Sequence, residues 1–67
     1  MLSARNQFKG TIKFVRLGDV MAEVVVAAGG LEIVSLISRA SAERLKLKVG
    51  DEATAVVKAT EVMVAKD

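Results

Sequence analysis

The chain has 67 residues, enough for one domain, and without Cys or His it can form neither disulfides nor ordinary zinc sites. Its 10 basic and 8 acidic residues leave a net charge of +2, a mixed surface and not the polybasic field that nucleic acid draws. Yet 52% of the residues are hydrophobic, more than a lone domain of this size can bury, so contact between subunits is expected.

No secretory signal pattern stands at the N-terminus and no apolar run approaches a membrane span. A cytoplasmic chain is therefore expected, with residues 1–67 as one domain. Ser3-Ala4-Arg5-Asn6-Gln7 precedes the first apolar run and offers a hydroxyl, a guanidinium and two amides, with no carboxylate among them.

Phe8–Leu17 predicts the first strand, with Phe8, Gly10, Ile12 and Phe14 on the core face and Lys9, Thr11 and Lys13 on the other. The phase breaks at Val15 and Leu17, and a bulge or strong bend near Phe14-Val15 explains the break. Gly18-Asp19 is a turn. Val20–Ala27 predicts the second strand, and Ala28-Gly29-Gly30 the hairpin connection.

Leu31–Ile37 predicts a third strand, after which Ser38 to Leu45 has helix formers and two possible N-caps, Ser38 and Ser41. Lys48-Val49-Gly50-Asp51 ends that helix after about two turns. Glu52–Lys58 predicts the fourth strand, Ala59-Thr60 interrupts it, and Val62-Met63-Val64 begins a short fifth. Five strands with one short helix between the third and fourth give an all-β, OB-type barrel, with an SH3-like barrel as the alternative.

Catalysis is not expected. The common nucleophiles and bases shrink to Ser, Lys and carboxylates, and the acids are scattered over turns and strand edges with no spaced pair. A single-strand nucleic-acid binder of OB type is the alternative function, but such proteins stack bases on exposed aromatics. Here Phe8 and Phe14 are the only aromatics, and both have core parity.

Anion binding fits better. Besides the N-terminal segment, Ser38 and Ser41 stand at a helix start, where free N–H groups favour negative charge. Lys58-Ala59-Thr60 adds a cation beside freed backbone N–H groups and a hydroxyl, with no acid that must face it.

Four motifs then stand together. They are Ser3-Ala4-Arg5-Asn6-Gln7-(x)-Lys9-Gly10, Ala22-Glu23-Val24, Leu45-(x)-Leu47-(x)-Val49-Gly50, and Val57-Lys58-Ala59-Thr60-Glu61-Val62-Met63. Over essentially the whole chain this pattern resembles the molbindins, stand-alone Mop-domain molybdate-binding proteins. The resemblance implies an OB-type barrel that binds molybdate or tungstate between subunits of a homohexamer, a trimer of dimers, for intracellular molybdenum storage or homeostasis.

The metal would be bound as its oxyanion, with no direct coordination by protein. An N-terminal strand that crosses to the neighbouring chain is also implied. By carry-over, Ser3 and Arg5 come from one chain, and Ser38, Ser41, Lys58 and Ala59 from the other.

Overall fold

The computed structural model describes residues 5–66, and over them the chain is a curled four-stranded sheet with one short helix. The strands are β1 (Asn6–Leu17), β2 (Met21–Ala28), β3 (Leu31–Ser38) and β4 (Glu52–Val57), and the helix α1 (Arg39–Arg44) joins β3 to β4. All pairings are antiparallel, and the order across the sheet is β3-β2-β1-β4.

The long first strand serves two partners. Its first half, Asn6 to Thr11, pairs with Val57 to Glu52 of β4, and from Thr11 to Leu17 it pairs with Ala27 to Ala22 of β2. Serving both requires a bend, and three features make it. Lys13 is bulged out between the Ile12–Val26 and Phe14–Val25 pairs. Gly10 lies so close to β2 that an added Cβ would stand 2.1 Å from the Ala27 carbonyl oxygen. Ile12, only 1% exposed, donates its N–H to the Asp51 carbonyl and accepts from the Gly50 N–H, each at 2.8 Å.

The bulge falls one residue before the expected position, and this changes which face Phe14 occupies. Past Lys13 the alternation inverts, so Val15 packs against the core of Ile12, Val24 and Val26, while Phe14 is 43% exposed. Its register neighbours on the outer face are Val25 and, beyond it, Val34. Phe8, also expected inside, is partly exposed as well.

The β2–β3 hairpin turns at Gly29 and Gly30, whose φ values of 56° and 83° are those of a type I′ turn. Lys48 to Asp51 form the predicted turn, with Asp51 N–H donating to the Lys48 carbonyl at 3.1 Å and Lys48 N–H to Asp51 Oδ2 at 3.2 Å.

From Asn6 onward β1 pairs with strands of this chain's own sheet, and residues 1–4 lie outside the described residues. The fifth strand is absent among the described residues: a 3₁₀ turn at Ala59–Glu61 follows β4, and Val62 to Lys66 carry no regular structure. The interruption read at Ala59-Thr60 is therefore a diversion of the chain, not a pause in a strand. No helix among the described residues is long and apolar enough to cross a membrane.

The close approach at Gly10 yields a direct expectation. Gly10→Ala places a methyl against backbone that cannot rotate away, and it is expected to cost at least about 2 kcal/mol in urea unfolding. A cost near zero would mean that the bend does not depend on this contact.

Candidate functional site

Of the six residues singled out in the sequence, Ser3 lies outside the described residues; the other five fall into two groups. The first stands at the start of α1. Ser38 leaves β3 with extended backbone and caps the helix, its Oγ accepting the Ser41 N–H at 3.1 Å. The Ser38 hydroxyl in turn donates to Ser41 Oγ at 2.9 Å, and Arg44 Nη2 donates to the same oxygen at 3.3 Å.

With two donors already on its oxygen, Ser41 keeps its own proton to give outward. The carboxylate on this helix is engaged elsewhere, since Glu43 Oε1 lies 3.5 Å from Arg39 Nε. Arg39 also donates to the Gly18 carbonyl at 3.3 Å. Among the described residues, Arg44 has no carboxylate within ion-pair distance.

Arg44 is the residue that the sequence reading passed over. Its signal was available: Ser41 and Arg44 are three apart on a helix and so share a face.

The second group stands at the far end of β1. Asn6 pairs with Val57 at the last rung of the β1–β4 ladder, and Arg5 and Lys58 are the residues that lie next beyond it on the two chains of the ladder. Lys58 precedes the 3₁₀ turn with extended backbone and accepts the Glu61 N–H on its carbonyl at 2.8 Å. Val62 N–H closes the turn onto the Ala59 carbonyl, so the N–H groups of Ala59 and Thr60 are left at its open start.

Arg5 and Lys58 are exposed and, among the described residues, neither has a carboxylate within ion-pair distance. One expectation needs correcting here. Glu61 lies in the first turn beside Lys58 and lines the same groove, so this end of the chain does carry an acid.

The two groups sit at opposite ends of the longest strand. Ser38 pairs with Met21, whose neighbour Ala22 pairs with Leu17 at the end of β1, whereas Lys58 and Arg5 stand at its Asn6 end. A 12-residue strand spans up to roughly 35–40 Å when straight, and the bend shortens this only in part. Within one chain the register puts Lys58 near Arg5 and far from the two serines.

The outer face of the sheet offers a poorer site. Around the apolar row of Phe14, Val25 and Val34, Lys13 is paired with Glu32, and Arg16 lies 3.4 Å from Glu23. These two cations are neutralised beside the exposed Phe14, which is not the footprint of a single-strand nucleic-acid surface.

Residues 2–64 match the TOBE domain family. The chain belongs to this family. Among its relatives, this TOBE domain is 53% identical over 64 residues to molybdenum-pterin-binding protein 2 of Clostridium pasteurianum, covering 94% of each chain. Its fold superposes on a molybdate-binding protein from Sporomusa ovata with a TM-score of 0.93, at 42% identity and 98% coverage of both chains. The cytoplasmic molybdate-binding protein ModG, in a form with molybdate bound, matches with a TM-score of 0.83 and 47% identity over 88% of this chain and 43% of its own. The molbindin resemblance carried by the four motifs is thus matched over nearly the full chain.

The capping geometry separates two roles for the serines. Ser38→Ala removes the cap and is expected to lower stability by about 1 kcal/mol. Ser41→Ala leaves the capping N–H in place and should change stability little. Urea unfolding of both variants checks the pair; equal losses would contradict the cap.

Proposed function

We propose that this chain binds molybdate, with tungstate as an equivalent ion, at sites that two chains of a homo-oligomer complete together. The observation that carries this reading is the donor set on a chain that matches molybdate-binding proteins over its length. It comprises hydroxyls at Ser38 and Ser41, N–H groups at Ala59 and Thr60, and the cations Arg5, Arg44 and Lys58, none of them held by a carboxylate among the described residues. Ser3 is assigned to the Arg5 group by its neighbourhood in sequence.

The chemistry follows from the ion. Molybdate at neutral pH is a tetrahedral dianion with no proton to give, so each useful contact must be a donor. Hydrogen bonds to charged groups contribute roughly 1.5–3 kcal/mol each, so six supply about 9–18 kcal/mol before costs. Desolvating the ion takes back several kcal/mol, and the remainder reaches micromolar affinity, about 8 kcal/mol. Phosphate is partly protonated and is disfavoured by a site without acceptors. Sulfate has the same charge and shape but is smaller, so cavity size must reject it.

Each group alone can surround only part of such an ion, and the two lie apart within one chain. Completion by a second chain resolves this, and it accords with the apolar surface that a single chain leaves exposed, from Phe14 and Leu36 to Met63. We assign Arg5, Lys58 and Ala59, with Ser3, to one chain, and Ser38, Ser41 and Arg44 to the other. A trimer of dimers is the assembly that the molbindin likeness supports. The role is reversible storage or buffering of the ion, and no catalytic step is assigned. The cytoplasmic location given for ModG supports the same location for this chain.

Calorimetric titration with molybdate, tungstate, sulfate and phosphate tests the reading. Heat of binding is expected with the first two and little with the others; no heat with molybdate would refute it. Arg5→Ala and Lys58→Ala should each weaken molybdate at least tenfold, about 1.4 kcal/mol or more, with the oligomer retained by light scattering. Normal binding by either variant would place the site elsewhere.

A further inference from the structure

The helix that carries Ser41 and Arg44 also carries a carboxylate, Glu43. Glu43 is two residues from Ser41 and next to Arg44, an axial rise of roughly 3 Å or less. A charge in water acts over about 8–10 Å at ordinary ionic strength before salt screens it. A free carboxylate at this place would therefore repel an incoming dianion.

Helical spacing gives Glu43 a partner inside α1. Arg39 stands four residues before it and shares its face, whereas Arg44, as the immediate neighbour, points to another. The structure uses this partner: Glu43 Oε1 lies 3.5 Å from Arg39 Nε.

Arg39 is held at two further points. Its backbone N–H donates to the Val20 carbonyl at 2.7 Å, and its Nη1 donates to the Gly18 carbonyl at 3.3 Å. The Gly18 acceptor is itself fixed by a tight turn. Gly18 N–H donates to the Met21 carbonyl at 2.8 Å, and a Cβ added at Gly18 would stand 2.8 Å from that same oxygen. The guanidinium is thus anchored on the turn between β1 and β2 while it presents Nε to Glu43.

These contacts contribute little as stability. The Arg39 and Glu43 side chains are 40% and 56% exposed, and exposed ion pairs are among the weakest interactions in a fold. Their consequence is electrostatic. With Glu43 neutralised by Arg39, the other cations of this stretch, Arg44 and Lys46, act on an anion unopposed. Among the described residues neither has a carboxylate within ion-pair distance.

We propose that Arg39 is a positioning residue of the oxyanion site. It holds the Glu43 carboxylate as its own counter-ion, so that Ser41 and Arg44 meet the dianion with no free negative charge on their helix. In this role neither Arg39 nor Glu43 touches the ion. The inference rests on the molybdate reading given above and adds a determinant of its affinity.

Calorimetric titration with molybdate at low salt tests it on the unsubstituted chain, Arg39→Ala, Glu43→Gln and the double variant. Arg39→Ala frees the carboxylate and is expected to weaken binding about threefold or more. Glu43→Gln leaves a cation without its counter-charge and should bind at least as tightly as the unsubstituted chain. The double variant restores the balance of charge and is expected within about twofold of the unsubstituted chain. Arg39→Lys keeps the charge and should also bind within about twofold.

Recovery in the double variant is the decisive result. A merely structural loss would persist when Glu43 is neutralised, as would repulsion from Asp19, which lies in the same turn as Gly18. The deficit of Arg39→Ala should also shrink in about 1 M salt, where the screening length falls to roughly 3 Å. Unchanged binding by Arg39→Ala, a loss that the double variant does not recover, or a loss undiminished by salt would each overturn the proposal. Should Arg39→Ala fail to assemble by light scattering, Glu43→Gln and Arg39→Lys decide: weaker binding by Glu43→Gln, or by Arg39→Lys beyond twofold, would overturn it. If the unsubstituted chain binds no molybdate, the function itself falls; if it binds and the series is flat, only the role of Arg39 does.

Discussion

Everything in this fold depends on the bend in β1. One strand must lie against β4 along its first half and β2 along its second, and a straight strand cannot follow both partners of a curling sheet. The bend is enforced from three sides: the extra residue at Lys13 turns the strand, the bare Gly10 lets it press against Ala27, and the bonds from Ile12 to Gly50 and Asp51 tie it to the turn before β4. Ile12 thus joins the core and the turn in one residue. The same bend bears on the chemistry, because the two groups of side chains proposed to bind the anion stand near the two ends of β1.

From this follows the incompleteness of the single chain. Its buried core consists of Ile12, four residues of β2 whose side chains are no larger than Val, Val25 on the outer face, and Ala42 of α1. Such a core is small even for a domain of this length. The apolar residues that a larger fold would use as core lie instead on the surface, in the open groove and along the tail. Incompleteness of the fold and of the site thus have one origin, and association of chains would answer both.

Much of this was legible in the sequence wherever the determinant is local. Gly29-Gly30 demands positive φ, Ser38 is a good cap before a run of helix formers, and Lys48 to Asp51 carries its own hydrogen bonds; each stands close to where it is predicted. The bulge was legible as a phase break, but its placement at Lys13 depends on cross-strand register with β2, which alternation within β1 does not encode. That single residue decides whether Phe14 faces the core or the solvent.

The predicted fifth strand is not formed within this chain's described residues, for a related reason. Val62 to Val64 has strand chemistry, but the 3₁₀ turn before it points it away from any partner in its own sheet. At the site, helical spacing shows some neighbours and long-range pairing decides others. Lys58 joins Arg5 only through the register of β1 on β4, a long-range pairing, whereas the link of Arg44 to Ser41 was visible in helical spacing.

The central claim is that one bound ion is shared between Arg5 of one chain and Ser41 of another. It is tested most directly by refolding Arg5→Ala chains together with Ser41→Ala chains and titrating the mixture with molybdate. Each variant alone binds weakly, but a mixed oligomer contains interfaces at which an intact Arg5 meets an intact Ser41. A fraction of tight sites, absent from either variant alone, is therefore predicted to reappear. A mixture that binds no better than its separate components would contradict the account, because each site would then be built within a single chain.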